Sequence, residues 1–168
     1  SSGYAPIAAT VVCDSIYDVF KENKEAVMGH LLTFGGHPAA AAAALKNLEI
    51  FEREDLVAQS AEKGAYLRER LEELRAHPTV GDVRGLGLMA AIDLVKNKET
   101  REGWPKGSTF SARLGELVME RGLITRIWDV MHFAPPLVIT NEEIDRMVEI
   151  TDESLTIAEQ EFAADITT

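Results

Sequence analysis

The segment that most constrains this chain is residues 30–38, which read His-Leu-Leu-Thr-Phe-Gly-Gly-His-Pro. Thr33 precedes a phenylalanine and a pair of glycines, and Pro38 opens a run of six alanines that favours a helix. A hydroxyl and exposed backbone N–H groups at flexible glycines, just ahead of a helix, are groups that can bind phosphate. The segment therefore predicts either a phosphate-binding turn or a structural turn in which Thr33 caps the helix.

Composition excludes several classes of protein. A formal net charge of −11 argues against a nucleic-acid partner, because phosphate contacts need clustered lysine and arginine. No apolar run is long enough to span a membrane, and no secretion signal is recognisable. The single cysteine, Cys13, fits a reducing compartment, which predicts a cytoplasmic location. Its apolar surroundings predict a buried thiol, and no cysteine–histidine cluster suggests a metal site.

Hydrophobic spacing predicts the order of the elements. A strand-like run at residues 9–13 and a small helical piece at 16–20 come first, and a helix over 54–76 ends at His77-Pro78. Residues 80–95 alternate as two short strands or one bent strand, and a helix over 109–121 follows.

The last third of the chain predicts two further strands and a long helix. Leu123 to Arg126 and Val130 to Ala134 read as strands around a turn, and Thr140 with Glu143 forms a capping box ahead of an amphipathic helix. The order from residue 80 onward predicts an α+β unit, with a small sheet and helices on one face.

Three motifs in order give the chain a family resemblance. Residues 1–7, residues 32–38 and the series made by 83–88, 122–126, 134–137 and 139–140 resemble segments of the class-III (omega) aminotransferases, which use pyridoxal 5'-phosphate (PLP). The resemblance implies the α/β fold of fold type I PLP-dependent transferases. It further implies that residues 1–37 end the large PLP-binding domain, 38–76 are connecting helices and 77–168 form a small α+β C-terminal domain.

The resemblance also implies an activity and an assembly. The full-length protein would move an amino group from an amine or amino acid to a keto acid such as pyruvate, and it would work as a homodimer. Thr33 would reach the PLP phosphate of the neighbouring subunit, assisted by backbone N–H groups near Gly35. Leu32 and Phe34 would lie near the substrate entrance or in the subunit interface.

The catalytic lysine is expected upstream of Ser1. The chain has seven lysines, and none matches the family's lysine motif, so this chain alone would lack the Schiff-base residue. The alternative is a non-catalytic dimerisation or interaction module that kept this fold and lost the lysine.

Arg126 is the candidate substrate residue. The resemblance implies that it binds the substrate carboxylate, for which a guanidinium has the right donors; the alternative is a solvated or salt-bridged arginine. Arg84 is expected to be structural, bonded to carbonyls or to an acid. His132 is predicted to be packed, and Trp128 is predicted to shape the turn or to narrow the pocket. His37 is predicted to begin the alanine-rich helix.

Overall fold

The computed structural model describes residues 2–23, 25–26 and 32–167 of the chain. Backbone contacts divide it into two compact units, Ser1–Asp55 and Leu56–Thr168. This boundary falls inside the predicted connecting segment 38–76. The assignment of the three predicted segments to parts of a larger protein stays a prediction.

The first unit carries two helices. Helix α1 spans Asp14–Glu22, as expected for the helical piece, but residues 6–13 have no regular structure, so the predicted strand at 9–13 is wrong. Cys13 instead occupies the position before α1, where its side chain is exposed. The prediction of a buried thiol is therefore wrong as well, because the apolar run around Cys13 pairs with no sheet among the described residues.

Helix α2 spans Pro38–Arg53 and begins as the sequence predicts. Pro38 is its first residue, and the Nδ1 atom of His37 accepts a hydrogen bond from the Ala40 N–H at 3.5 Å. Asp55 follows with a φ of +48°, so α2 and the next helix are separate elements rather than one.

The second unit combines three long helices with a small antiparallel sheet. Helix α3 is followed by a short 3-10 helix at Leu74–Ala76, which ends before His77-Pro78 as predicted. The remaining elements in chain order are β1 (Val80–Leu86), β2 (Met89–Asn97), β3 (Glu102–Gly103), α4 (Phe110–Glu120), β4 (Val130–Phe133) and α5 (Asn141–Glu161), after α3 (Leu56–Glu73).

Strand β2 is the centre of the sheet. It pairs antiparallel with β1 along the hairpin, with β4 through Ala90 to Asp93, and with β3 near its end. The residues predicted as two strands or one bent strand are thus the two strands of a hairpin. The predicted strand at 123–126 is wrong: these residues have no regular structure, and pairing outside the named strands is limited there to a bridge between Ile127 and Met131.

Helices α3, α4 and α5 supply most of the core of the second unit. The predicted apolar faces are buried, including Leu67 and Leu71 of α3, Phe110 and Leu114 of α4, and Ile144 and Leu155 of α5. They pack with Val80, Ile92, Leu94 and Met131 from the sheet. The mixed α/β fold class predicted from the sequence is confirmed.

Two glycines bring helix α3 against the tip of the β1–β2 hairpin. A Cβ atom at Gly64 would lie 2.2 Å from the backbone carbon and oxygen of Gly87. Gly87 itself has a φ of +54°, in the left-handed region that glycine tolerates. The turn at Gly87 thus rests directly on the backbone of α3.

Helix α5 begins with the predicted capping box. The Thr140 hydroxyl accepts from the Glu143 N–H, and the Glu143 carboxylate accepts from the Thr140 N–H at 2.9 Å. These reciprocal bonds satisfy two N–H groups at the start of the helix. Within the described ranges, no helix is both long enough and apolar enough to cross a membrane.

Candidate functional site

The first half of the candidate site is the turn at residues 33–36, which leads into α2. The Gly35 N–H donates to the Leu32 carbonyl at 3.0 Å, and Gly36 has a φ of +67°. The two preceding residues of the sequence motif, 30 and 31, lie outside the described residues. The turn and helix start are therefore built as the glycine pair and Pro38 predict.

Thr33 is exposed on this turn. Its hydroxyl has no hydrogen-bond partner in the part of the chain that the structure describes, and it does not cap α2, because His37 does. Leu32 and Phe34 flank it with exposed fractions of 64% and 83%. The turn therefore presents an unused hydroxyl between two exposed apolar side chains.

The donor set of this turn fits a phosphate. The Thr33 hydroxyl is available to donate, whereas the Gly35 N–H already donates within the turn. The lack of a Cβ atom at Gly36, next to which no other group lies within 4 Å, leaves room for an anion to approach the backbone. The roles of Thr33, Gly35, Leu32 and Phe34 stay predictions.

The second half of the candidate site is the loop that carries Arg126, in the other unit. The Arg126 side chain is exposed, and its guanidinium carbon lies 3.7 Å from the ring centroid of Trp128. No ion pair or hydrogen bond of this guanidinium is found among the described residues. Arg126 is thus neither salt-bridged nor freely solvated, but stacked on an aromatic ring.

The backbone of this loop is held by strand β4. The Arg126 carbonyl accepts from the backbone N–H of His132 at 3.0 Å and from the His132 Nδ1 at 3.2 Å. The Thr125 hydroxyl donates to the His132 carbonyl. His132 is therefore exposed and bonded to the loop, and the prediction that it is packed is wrong: Met131 and Phe133 carry the buried face of β4.

A cleft of about 470 Å³ opens beside the Arg126 loop. Residues 122–125 and 132–136 line it, together with Ile139, Glu143 and Met147. Arg126 follows directly after the first of these segments but does not line the cleft. The described residues contain no group of three or more histidine, cysteine or acidic side chains placed to hold a metal ion.

Sequence reasoning missed one residue of this loop. The Ser111 hydroxyl, on helix α4, donates to the Trp128 carbonyl at 2.6 Å. No motif links two residues 17 positions apart in a helix and a turn, so no sequence signal pointed to this bond. Arg84, by contrast, pairs with Asp93 across the β1–β2 hairpin, as expected for a structural arginine bonded to an acid.

Comparison with known proteins gives these features a family. The sequence model of the class-III aminotransferases matches residues 1–155. Among curated relatives, the putrescine–pyruvate aminotransferase of Pseudomonas aeruginosa is 41% identical over 158 residues, which are 92% of this chain and 34% of that protein. The adenosylmethionine-8-amino-7-oxononanoate aminotransferase of Anoxybacillus flavithermus is 38% identical over 92% of this chain and 35% of that protein.

Solved structures agree with the sequence comparison. A transaminase obtained through ancestral reconstruction covers 95% of this chain with a TM-score of 0.89 and 39% identity, over 36% of its own length. A transaminase from the marine bacterium Virgibacillus covers 96% with a TM-score of 0.88 and 34% identity, over 38% of its own length. The chain spans about a third of the length of the relatives it matches. This chain belongs to the class-III aminotransferase family.

Proposed function

We propose that the full-length protein is a PLP-dependent transaminase that moves an amino group from an amine or amino acid to a keto acid such as pyruvate. The observation that carries the proposal is the exposed Thr33 hydroxyl, without a partner among the described residues, on a glycine turn at the start of α2. Family membership supports the same activity. The alternative, a non-catalytic module derived from this fold, is not favoured, because the relatives are named as aminotransferases.

The cofactor we propose is pyridoxal 5'-phosphate, in keeping with a Pseudomonas jessenii transaminase solved in complex with PMP that is 34% identical to this chain. When bound, PLP supplies an electron sink for the chemistry at the substrate's amino-bearing carbon. In this chain the Thr33 hydroxyl would donate to its phosphate. The Schiff-base lysine is expected upstream of Ser1. Of the lysines in the described ranges, Lys98 donates to the His77 carbonyl and Lys46 pairs with Glu49.

Removing the Thr33 hydroxyl should weaken cofactor binding. In the full-length protein we expect Thr33→Ala to lose roughly one hydrogen bond to a charged group, about 1.5–3 kcal/mol of PLP binding free energy. Thr33→Ser keeps the hydroxyl and is the matched control. PLP dissociation followed by absorbance gives both affinities, and equal retention by Thr33→Ala and the wild type would remove Thr33 from the site.

We further propose that Thr33 serves the neighbouring subunit of a homodimer. Mixed dimers test this directly. When Thr33→Ala and the loss of the Schiff-base lysine are placed in different subunits, the one intact lysine site keeps a normal Thr33 from its neighbour and should retain PLP normally. When both changes are in the same subunit, the remaining lysine site faces Ala at position 33 and should lose PLP more readily. The reverse order would assign Thr33 to its own subunit.

We propose that Arg126 binds the carboxylate of amino-acid and keto-acid substrates. Its donors have no partner among the described residues, and a guanidinium can bind a carboxylate through two parallel hydrogen bonds. Arg126→Ala should therefore impair amino-acid donors more than simple amines in kcat/KM. An equal loss with both kinds of donor would contradict the carboxylate role.

The location of the protein stays a prediction. A single cysteine, which is exposed in the described structure, fits a reducing compartment such as the cytoplasm. Fractionation of the native cells, followed by immunodetection, decides it.

A further inference from the structure

We propose that Trp128 is a positioning residue for Arg126, which holds the guanidinium in the orientation that receives a substrate carboxylate. The inference rests on the proposed carboxylate role of Arg126. It assigns to Trp128 a part in substrate preference, rather than in narrowing the pocket.

The stacking geometry is the first support. The Arg126 guanidinium carbon lies 3.7 Å from the Trp128 ring centroid, which is the separation of two planar groups in van der Waals contact. Stacking uses the face of the guanidinium and leaves its N–H donors, which lie in the plane of the group, available for hydrogen bonds. None of these donors is used by a described residue. The pair thus presents an oriented and unspent set of donors.

The anchoring of the tryptophan is the second support. The Trp128 N–H donates to the Val130 carbonyl at 3.1 Å, and the Trp128 carbonyl accepts from the Ser111 hydroxyl at 2.6 Å. Both bonds use the backbone of Trp128, so they fix where its side chain emerges without depending on the indole. The indole is 59% exposed and contributes nothing to the buried core.

The anchoring of the arginine is the third support. The Arg126 carbonyl is held by two hydrogen bonds from His132, and Ile127 bridges to Met131. With the backbone fixed on both sides, the freedom that remains at position 126 is that of its long side chain. An arginine gives up side-chain entropy when it binds a ligand, and a platform that already restrains it lowers that cost.

The first test compares Trp128→Leu with Trp128→Phe in the complete PLP-loaded enzyme. The exposed indole and the backbone anchoring allow both substitutions without loss of core packing. Butanoate, a carboxylate without an amino group, serves as a non-reacting competitor, and L-phenylalanine and 2-phenylethylamine serve as donors that differ by the carboxylate. Trp128→Leu should raise the inhibition constant of butanoate and the KM of L-phenylalanine about two- to fivefold, as expected for loss of an exposed cation–π contact. Trp128→Phe should retain most of the wild-type values, and 2-phenylethylamine should be unaffected.

A double substitution separates this inference from the proposed function. In an Arg126→Ala background, Trp128→Leu should have no further effect on butanoate, because the tryptophan acts through the arginine. If Arg126→Ala abolishes the preference for the carboxylate and Trp128→Leu leaves it intact, the positioning role of Trp128 is overturned and the role of Arg126 stands. If neither substitution changes the preference, the carboxylate role of Arg126 itself fails. Equal changes with both donors in Trp128→Leu would show a general structural effect and would also overturn the inference.

Discussion

The Nδ1 atom of His77 lies 2.8 Å from the Oε2 atom of Glu159, which joins the segment ahead of β1 to helix α5. The other ring nitrogen of His77 lies 2.9 Å from the Oδ1 atom of Asp152, and the ring is buried. Since both nitrogens face carboxylate oxygens, both must donate, so the imidazole is protonated. The hydrogen bond with Glu159 raises the pKa of His77 against the opposing effect of burial.

This arrangement predicts that the attachment of α5 weakens at alkaline pH. The pKa of His77 is raised in the folded protein above its value of about 6.5 in the unfolded chain, so its stabilisation is complete below about pH 6.5. It is lost as the pH rises through the elevated pKa. Amide exchange of α5, corrected for the intrinsic exchange rate, should show a lower free energy of opening at pH 9 than at pH 6.

Replacement of His77 tests the origin of that trend. His77→Gln should lower the free energy of opening of α5 at pH 6 by on the order of 1.5–3 kcal/mol, because it removes a hydrogen bond to a charged group, and should flatten the pH dependence. His132→Gln, at an exposed imidazole, is the control and should keep the trend. A pH dependence that survives in His77→Gln would assign it to another group.

The contact between α3 and the hairpin predicts opposite outcomes for two helical glycines. Gly64→Ala would place a Cβ atom 2.2 Å from the Gly87 backbone, so we expect a loss of about 1–3 kcal/mol despite the better helix propensity of alanine. Gly115, in α4, has nothing within 4 Å of such an atom, and Gly115→Ala should stabilise by roughly 0.5–1 kcal/mol. Thermal unfolding of both variants against the wild type decides, and two changes of the same sign would contradict the steric argument.

Two threonines at helix starts predict unequal effects on stability. The Thr140 hydroxyl caps α5, whereas the Thr109 side chain makes no capping bond at α4. Thr140→Ala should therefore cost about 1 kcal/mol, and Thr109→Ala much less. Amide exchange in the first turn of each helix measures the difference. Similar losses at both helices would show that the capping bond of Thr140 contributes little.

The turn that carries Thr33 predicts a backbone effect at Gly36. Because its φ is +67° and no atom lies within 4 Å of the missing Cβ, Gly36→Ala should be unfavourable through conformation alone, by about 1–2 kcal/mol. Gly36→Asn should cost less, since asparagine enters the left-handed region more readily. Faster amide exchange at residues 33–37 in Gly36→Ala than in Gly36→Asn is the expected result, and equal rates would remove the conformational argument.

Local chemistry explains which elements were predictable from the sequence. Pro38, the Thr140–Glu143 pair and the long apolar stripes of α3 and α5 act within one helix, so their patterns predicted the helices correctly. The glycine-rich segment 80–95 predicted strand structure, though its spacing alone left open whether it formed one strand or two.

The errors lie where tertiary contacts decide. Four residues of β4 alternate equally well in either register, and a slip of one residue exchanges His132 for Met131 on the buried face. Residues 9–13 and 123–126 are apolar enough for strands, but neither forms ladder pairing within the described structure. For the candidate site, the sequence indicated Thr33 and Arg126, while the stacking on Trp128 and the bond from Ser111 depend on how α4 and the loop meet.

The glycine contact between α3 and the hairpin also constrains how this chain can diverge. Position 64 can accept a side chain only after the turn at position 87 has moved away, and a moved turn leaves a gap if position 64 is still glycine. The two positions are therefore epistatic: a substitution at either one is selected against alone and becomes acceptable only in the background of a change at the other.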